Sequence, residues 1–268
     1  MSKANISDAR SILIIGATAG IGRALALALH DLPSQPQIIV AGRRKERLDE
    51  LTAKSERIKS VQVDVSGGRE SLKKFVDQLL VDYSQLDAVV FSSGIQHQFD
   101  FSRPDSVDLD KFEAELTTNY ISIVTLIKFL IPHFLSLSNQ DKPSFIIPIS
   151  SGLAVYPAPT VPGYCATKSA LHSLSLSLDS QLKDTNVHVM EILPPLVESE
   201  LHDHQGTTPA LSKFWMPLDV FIPQVVDGLK RGDVQIPIGQ AAEGWDTFEK
   251  GKLERIEQFR QRAASLKK

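Results

Sequence analysis

The chain of 268 residues has one cysteine, Cys165, so no disulfide can close within it, and a reducing compartment fits. It has no block of five or more basic residues: 29 lysines and arginines are interleaved with 32 acids for a net charge of −3. That is the pattern of a solvated mixed surface, and it argues against a nucleic-acid partner. The opening stretch, MSKANISDARS, lacks an apolar signal region, and the first apolar run, ILII, reads as a strand. The most apolar stretch, Ile121 to Leu135, carries Lys128, Pro132 and His133 and is too short to span a bilayer, so no membrane partner is expected. The C-terminal SLKK offers no targeting signal with a readable mechanism. Together these absences favour a cytoplasmic protein. Internal repeats, low-complexity tracts and linker-like Pro/Gly/Ser stretches are missing too, so residues 1–268 are expected to form one domain.

What is present is a regular alternation. Short β-branched runs (SILIIG, QIIVA, IKSVQVD, LDAVVF, SFIIPIS and VHVMEIL) are separated by segments 20–31, 45–56, 69–83, 108–137 and 162–183, each apolar at three- and four-residue spacing. Strands this apolar are buried on both faces, which calls for a parallel sheet covered by helices. The expected fold is α/β, a doubly wound Rossmann-type domain with its core at 11–193. Residues 194–217, with four prolines, read as a long substrate loop, and 218–231 return to helix. The tail from Gly244 is charged and helical in period and should pack outside or against a second subunit. Ligands of such sheets bind beyond the carboxyl ends of the strands.

The first strand runs into GATAGIG, with Gly16, Gly20 and Gly22 opening a helix and Thr18 and Ile21 between them. Glycines there allow a tight turn and bring backbone N–H groups close to a pyrophosphate at the positive end of a helix. An NAD site would place a carboxylate at the end of the second strand to bond the ribose hydroxyls. Here that end reads VAGRR, and Arg43 and Arg44 stand where a 2′-phosphate would lie, with Thr18 as a possible hydroxyl partner. Guanidinium forks suit phosphate, so the cofactor expected on charge grounds is NADP(H), with Arg43 ranked first because it directly follows the missing acid.

In YCATK, Tyr164 and Lys168 fall one above the other if the segment is helical. A phenol with an ordinary pKa of about 10 benefits from a neighbouring cation that favours phenolate. The pair therefore reads as a device for moving a proton. Cys165 points to another helical face and reads as a packed residue, while His202 and His204 have no further ligands near them to suggest a metal site.

Taken with VDV around Asp64, SSGI from Ser92 to Ile95, Asn119 and ISSG, these segments make residues 11–200 resemble the short-chain dehydrogenase/reductase family. The ISSGLA and Pro194-Pro195 details are similar, more weakly, to its DltE-like branch. The resemblance implies that Ser151, thirteen residues before Tyr164, polarises the substrate carbonyl and hydrogen-bonds the developing oxyanion. It implies that Lys168 also holds the nicotinamide ribose, and that Asn119 anchors a water linking the lysine to solvent. It assigns Asp64, Val65, Gly94, Pro194, Val197 and Ser199 to the cofactor site, and it pairs the helices at 108–137 and 162–183 across a two-fold axis in a homodimer or homotetramer. Those two helices also read as more apolar around their circumference than one sheet face requires.

Two departures from the family pattern stand out. Phe91-Ser92-Ser93-Gly94 replaces Asn-Asn-Ala-Gly, which should alter local packing, and Pro195 replaces a glycine, which should stiffen the nicotinamide loop. The function expected is an NADP(H)-dependent oxidoreductase acting on a small-molecule carbonyl or the matching alcohol. The rival is a nucleotide-binding sensor or scaffold on the same fold without useful turnover.

Overall fold

The computed structural model describes residues 3–266; Lys267 and Lys268 of the SLKK terminus fall outside that range. Six parallel strands form the main sheet in the order β3-β2-β1-β4-β5-β6. They are β1 (Ser11–Ile15), β2 (Gln37–Gly42), β3 (Ile58–Gln62), β4 (Ala88–Phe91), β5 (Ser144–Pro148) and β6 (Val187–Val189). The alternation of side chains along a strand splits β1 cleanly. Ile12 and Ile14 enter the core on one face, and Leu13 and Ile15 enter the core on the other. The first face is covered by α1 (Gly20–His30) and α8 (Leu218–Arg231), the second by α3 (Gly68–Asp82), α5 (Ser122–Ser138) and α6 (Pro162–Leu182). The expected doubly wound α/β architecture is what the chain adopts, and the strand order reverses between β1 and β4.

Three features differ from the sequence reading. VHVMEIL is not one strand: it breaks at Met190 into β6 and β7 (Glu191–Leu193), and β7 pairs in parallel with β8 (Gln235–Pro237). The short β8, ending in a proline, lies in a stretch without strand-like alternation. Residues 194–217 are not wholly loop, since Glu200–Gln205 form a 3₁₀ helix and Thr208–Leu211 a short α7. The segment 108–137 is α4 (Leu109–Leu116) joined to α5 through a π turn at Thr117–Ile121. Taken together, Leu109–Ser138 is 30 residues long and apolar enough to cross a membrane by length and composition, longer than the 121–135 stretch suggests. Ile123, Leu126, Leu130 and Phe134 are fully buried against the sheet, so it is a core helix. Beyond α2 (Lys45–Thr52), the chain ends in α9 (Gln240–Phe248) and α10 (Lys252–Ser265), and α10 packs along α6.

Candidate active site

Pro162 begins α6, where its missing N–H costs nothing. The helix then carries Tyr164 and Lys168 on one face, as their spacing requires. Both are buried, and the Lys168 ammonium stands 5.5 Å from the centre of the Tyr164 ring. Ser151 follows β5, with an extended backbone that caps the 3₁₀ turn Gly152–Ala154, and its hydroxyl accepts from the Leu153 N–H at 3.1 Å. Burial holds the Tyr164 phenol well above its ordinary value; the neighbouring Ser151 hydroxyl opposes this, and the Cys165 and Glu115 charges add to it. Burial pushes Lys168 the other way, down to about 8, against the pull of Glu191. The Lys168 Nζ donates to the Ile149 carbonyl at 2.8 Å.

Asn119 lies on the π turn, a helical irregularity frequent at functional sites. Its amide is committed to the segment after β4: Oδ1 accepts from the Ile95 N–H, Nδ2 donates to the Ile95 carbonyl, both at 2.9 Å, and Nδ2 also reaches the Thr167 hydroxyl at 3.1 Å. A β-carbon on Gly94 would lie 3.4 Å from Asn119 Oδ1 and 3.8 Å from Lys168 Nζ. Ser151, Tyr164, Lys168, Asn119 and Gly94 thus come together beyond the carboxyl ends of β4 and β5.

The glycine loop lies beside them at the switch between β1 and β4. Gly16 sits at φ +92°, and a β-carbon there would come within 2.5 Å of the Ser93 nitrogen; one on Gly22 would meet the Gly16 carbonyl. The departure at Phe91-Ser92-Ser93 leaves the β4 ladder intact, since Ser92 N–H donates to the Ile15 carbonyl at 2.8 Å. The Ser93 hydroxyl is buried in this cleft without a partner among the described residues. Open glycine backbone, a helix N-terminus and an orphaned hydroxyl are a fit for a dinucleotide pyrophosphate.

At the far end of the cleft, Arg44 donates to the Thr18 hydroxyl from Nε at 3.1 Å and Nη2 at 2.8 Å. Its Nη1 binds Glu200 at 2.6 Å, and Arg47, a residue that sequence reasoning passed over, binds the other oxygen of the same carboxylate. Glu200 is thus an anion held in a two-arginine fork. Arg43, ranked first from sequence, contributes its backbone carbonyl to Gln62. Asp64 turns inward on Ser66, accepting from its N–H at 2.9 Å and its hydroxyl at 2.7 Å, while Val65 is buried beside it. Pro194 accepts from the Gly152 N–H at 2.8 Å, Val197 bridges to Met216, and Ser199 caps the 3₁₀ helix at 200–205. A β-carbon on Gly20 would sit 3.2 Å from Ser199 Cβ, so this segment covers the glycine loop that Ile21 flanks.

Sequence reasoning also missed Glu115. It is fully buried on α4, accepts from the His97 N–H, and is pushed by burial up to about 7. Its Oε2 has no partner among the described residues and faces Gly163, next to Tyr164. His204 stands edge-on to His97 at 5.2 Å, and His202 is buried with its Nδ1 unpartnered. No spacing motif marks Glu115; the packing of α4 on α6 brings it beside Tyr164.

The pattern of the short chain dehydrogenases matches residues 10–210. An uncharacterized oxidoreductase, DltE, of Bacillus subtilis is 34% identical over 227 residues, which are 84% of this chain and 86% of that one. An NADP-dependent 3-hydroxy acid dehydrogenase of Schizosaccharomyces pombe is 28% identical over 200 residues, 72% of this chain and 73% of its own. Among solved structures, the closed form of a serine dehydrogenase complexed with NADP⁺ superposes with a TM-score of 0.71 at 23% identity, covering 80% of this chain and 87% of that one. A gluconate 5-dehydrogenase from Burkholderia cenocepacia in complex with NADP and tartrate gives 0.73 at 20% identity, covering 84% and 91%.

Proposed function

The chain belongs to the short chain dehydrogenase family, an oxidoreductase family, and on that premise we propose that it is an NADP(H)-dependent enzyme interconverting a ketone or aldehyde with its alcohol. The observation that carries this reading is the buried cluster itself: Tyr164 and Lys168 on one face of α6, the Lys168 ammonium 5.5 Å from the centre of the phenol ring, and the buried Ser151 hydroxyl beside them. When bound, the dinucleotide supplies or accepts the hydride. The glycine loop of Gly16, Gly20 and Gly22 would hold its pyrophosphate, and Arg44 and Arg47 its 2′-phosphate, which must displace Glu200.

The remaining chemistry belongs to the chain. Reduction of a carbonyl leaves negative charge on oxygen. Ser151 donates a hydrogen bond to that oxygen, and Tyr164 gives it a proton. Burial keeps Tyr164 protonated at neutral pH, ready for this direction, and the Lys168 cation offsets the phenolate that remains. Leu153, Tyr156, Pro157, Leu196, Phe214 and Trp215 give the substrate an apolar, aromatic-walled approach, suited to a fairly apolar carbonyl compound. The enzyme works in a cytoplasmic setting as a homodimer or homotetramer.

A panel of ketones and aldehydes with NADPH, followed by loss of nicotinamide absorbance, tests the reading. Tyr164→Phe should lower turnover by several orders of magnitude while NADPH affinity stays near that of the native chain; a variant keeping most of its activity would overturn the mechanism. Loss of the Ser151 donor in Ser151→Ala should cost about 10²–10³ in turnover. Because Lys168 titrates near 8, reduction should decline as pH rises through that value and its cation is lost.

A further inference from the structure

Behind Tyr164 and Lys168 runs a buried chain of polar groups that the proposed chemistry does not use. The Ser150 hydroxyl donates to Glu191 Oε1. His172 Nδ1 faces both oxygens of Glu191, at 3.0 and 2.9 Å, and its Nε2 faces Glu249 Oε2 at 3.0 Å. Glu249 in turn accepts from Lys252. Ser150, His172, Glu191 and Glu249 are each at most 5% exposed. An ionised carboxylate can only accept, so an imidazole between two of them donates from both nitrogens and is an imidazolium. From Glu191 to Lys252 the charges then alternate and cancel, which makes their burial tolerable.

The inner end of this chain meets the site at three places. Ser150 adjoins Ser151. His172 is one turn along α6 from Lys168, as Lys168 is from Tyr164. The Ile149 carbonyl that accepts the Lys168 hydrogen bond belongs to a residue bridged to Ile192, the neighbour of Glu191. The other charged groups packed around α6 lie elsewhere: Glu115 of α4 acts on Tyr164, Glu249 and Lys252 lie beyond His172, and Asp179, Lys183 and Glu257 gather at the far end of α6.

We infer that Glu191 is a positioning residue for the Tyr164–Lys168 pair, keeping Lys168 an ammonium, and that His172 moderates this hold by sharing the same carboxylate. Burial pushes Lys168 down, and Glu191 is the group that raises it. The inference rests on the reductase reading for its meaning in catalysis, but the charge coupling is a property of the folded chain alone.

The two partners have opposite effects, which a purely structural role does not produce. Glu191→Gln keeps the shape and removes the anion, so Lys168 should lose its proton at a pH lower by roughly one unit. His172→Gln removes the imidazolium that neutralises Glu191, so Lys168 should hold its proton to a pH higher by about half a unit or more. Glu191→Asp should restore most of the native value. The measurement is a pH titration of the full chain labelled with ¹³Cε-lysine, with the Lys168 resonance identified by its loss in Lys168→Arg. Opposite shifts are the expected result; shifts of one sign in both variants, or none, overturn the inference. If Glu191→Gln does not fold, His172→Gln alone decides, because no upward shift there also overturns it. In an active enzyme the alkaline limb of carbonyl reduction should move with the resonance. Coupled titration without turnover on any carbonyl would sink the reductase reading only, and turnover with an uncoupled Lys168 would sink this inference only.

Discussion

Arg44 holds two groups that a bound 2′-phosphate would treat differently: the Thr18 hydroxyl could stay, and the Glu200 carboxylate would have to leave. The competition makes a prediction about binding. Hydrogen bonds to charged groups are worth about 1.5–3 kcal/mol, so Arg44→Ala should weaken NADPH roughly ten- to a hundredfold and leave NADH nearly unchanged. Glu200→Gln should tighten NADPH, and Arg43→Ala should matter less than Arg44→Ala. Isothermal titration with both dinucleotides checks all three; equal affinity of the native chain for NADH and NADPH would refute the charge argument. Converting preference with Gly42→Asp needs a companion change, since a β-carbon there would lie 2.7 Å from Thr18 Cγ2; Thr18→Ser removes the obstructing methyl. At this scale the sequence is uneven to read. Gly16, Tyr164 and Lys168 are legible because their chemistry depends on local spacing. Choosing between Arg43 and Arg44 depends on which way a side chain leaves a turn, and Arg47 and Glu200 meet across 153 residues, so neither leaves a local signal.

Among the elements, the core strands and α1, α2, α3, α5 and α6 follow from apolar periodicity, because each buries a face in one of two contiguous cores. The pieces that periodicity does not reveal are those whose place is set by polar contacts. The carboxylate of Glu191 is buried where an apolar strand would continue, and its partners His172 and Ser150 are 19 and 41 residues away. Glu249 ends α9 and reaches His172 on α6, so the docking of α9 and α10 is decided there. Two exposed ion pairs, Lys183 with Glu257 and Arg260 with Asp184, also join α10 to the end of α6. Exposed pairs contribute little and are screened by salt, whereas the buried contact is not. Glu249→Ala should therefore cost about 1.5–3 kcal/mol and lower the melting temperature by roughly 3–12 °C, while 0.5 M salt should change the native chain far less. Amide exchange should accelerate in Lys252–Ser265 and stay slow in the main sheet. Burial opposes the charge on His172, but the bonds and charges of Glu191 and then Glu249 outweigh it and raise its pKa. A raised histidine contributes stability that is full below about pH 6.5 and lost as pH climbs through the folded value. The difference between native chain and Glu249→Ala should accordingly be larger at pH 6 than at pH 9; the reverse order would show that His172 is not an imidazolium.

At the scale of the whole molecule, the outward face of α6 bears on assembly. Its outward residues are Ala166, Ser169, Ser173 and Ser177, so the face is small and weakly polar where sequence periodicity suggests an apolar circumference. The exposed apolar side chains lie instead on the neighbouring α4 and π turn, where Leu109, Leu116 and Ile121 are 64%, 42% and 45% exposed. A face of small side chains lets a second helix approach closely, and a rim of leucine and isoleucine supplies apolar area to bury, which are the grounds for the proposed pairing of these helices. Light scattering at micromolar concentration should give a dimer or tetramer mass. Ser173→Arg places a long cation at the centre of the α6 face, touching neither Lys168 nor His172, and should shift the mass toward the monomer while the circular dichroism spectrum stays native. A native chain that scatters as a monomer, or a Ser173→Arg variant that assembles as the native chain does, would remove these helices as the interface.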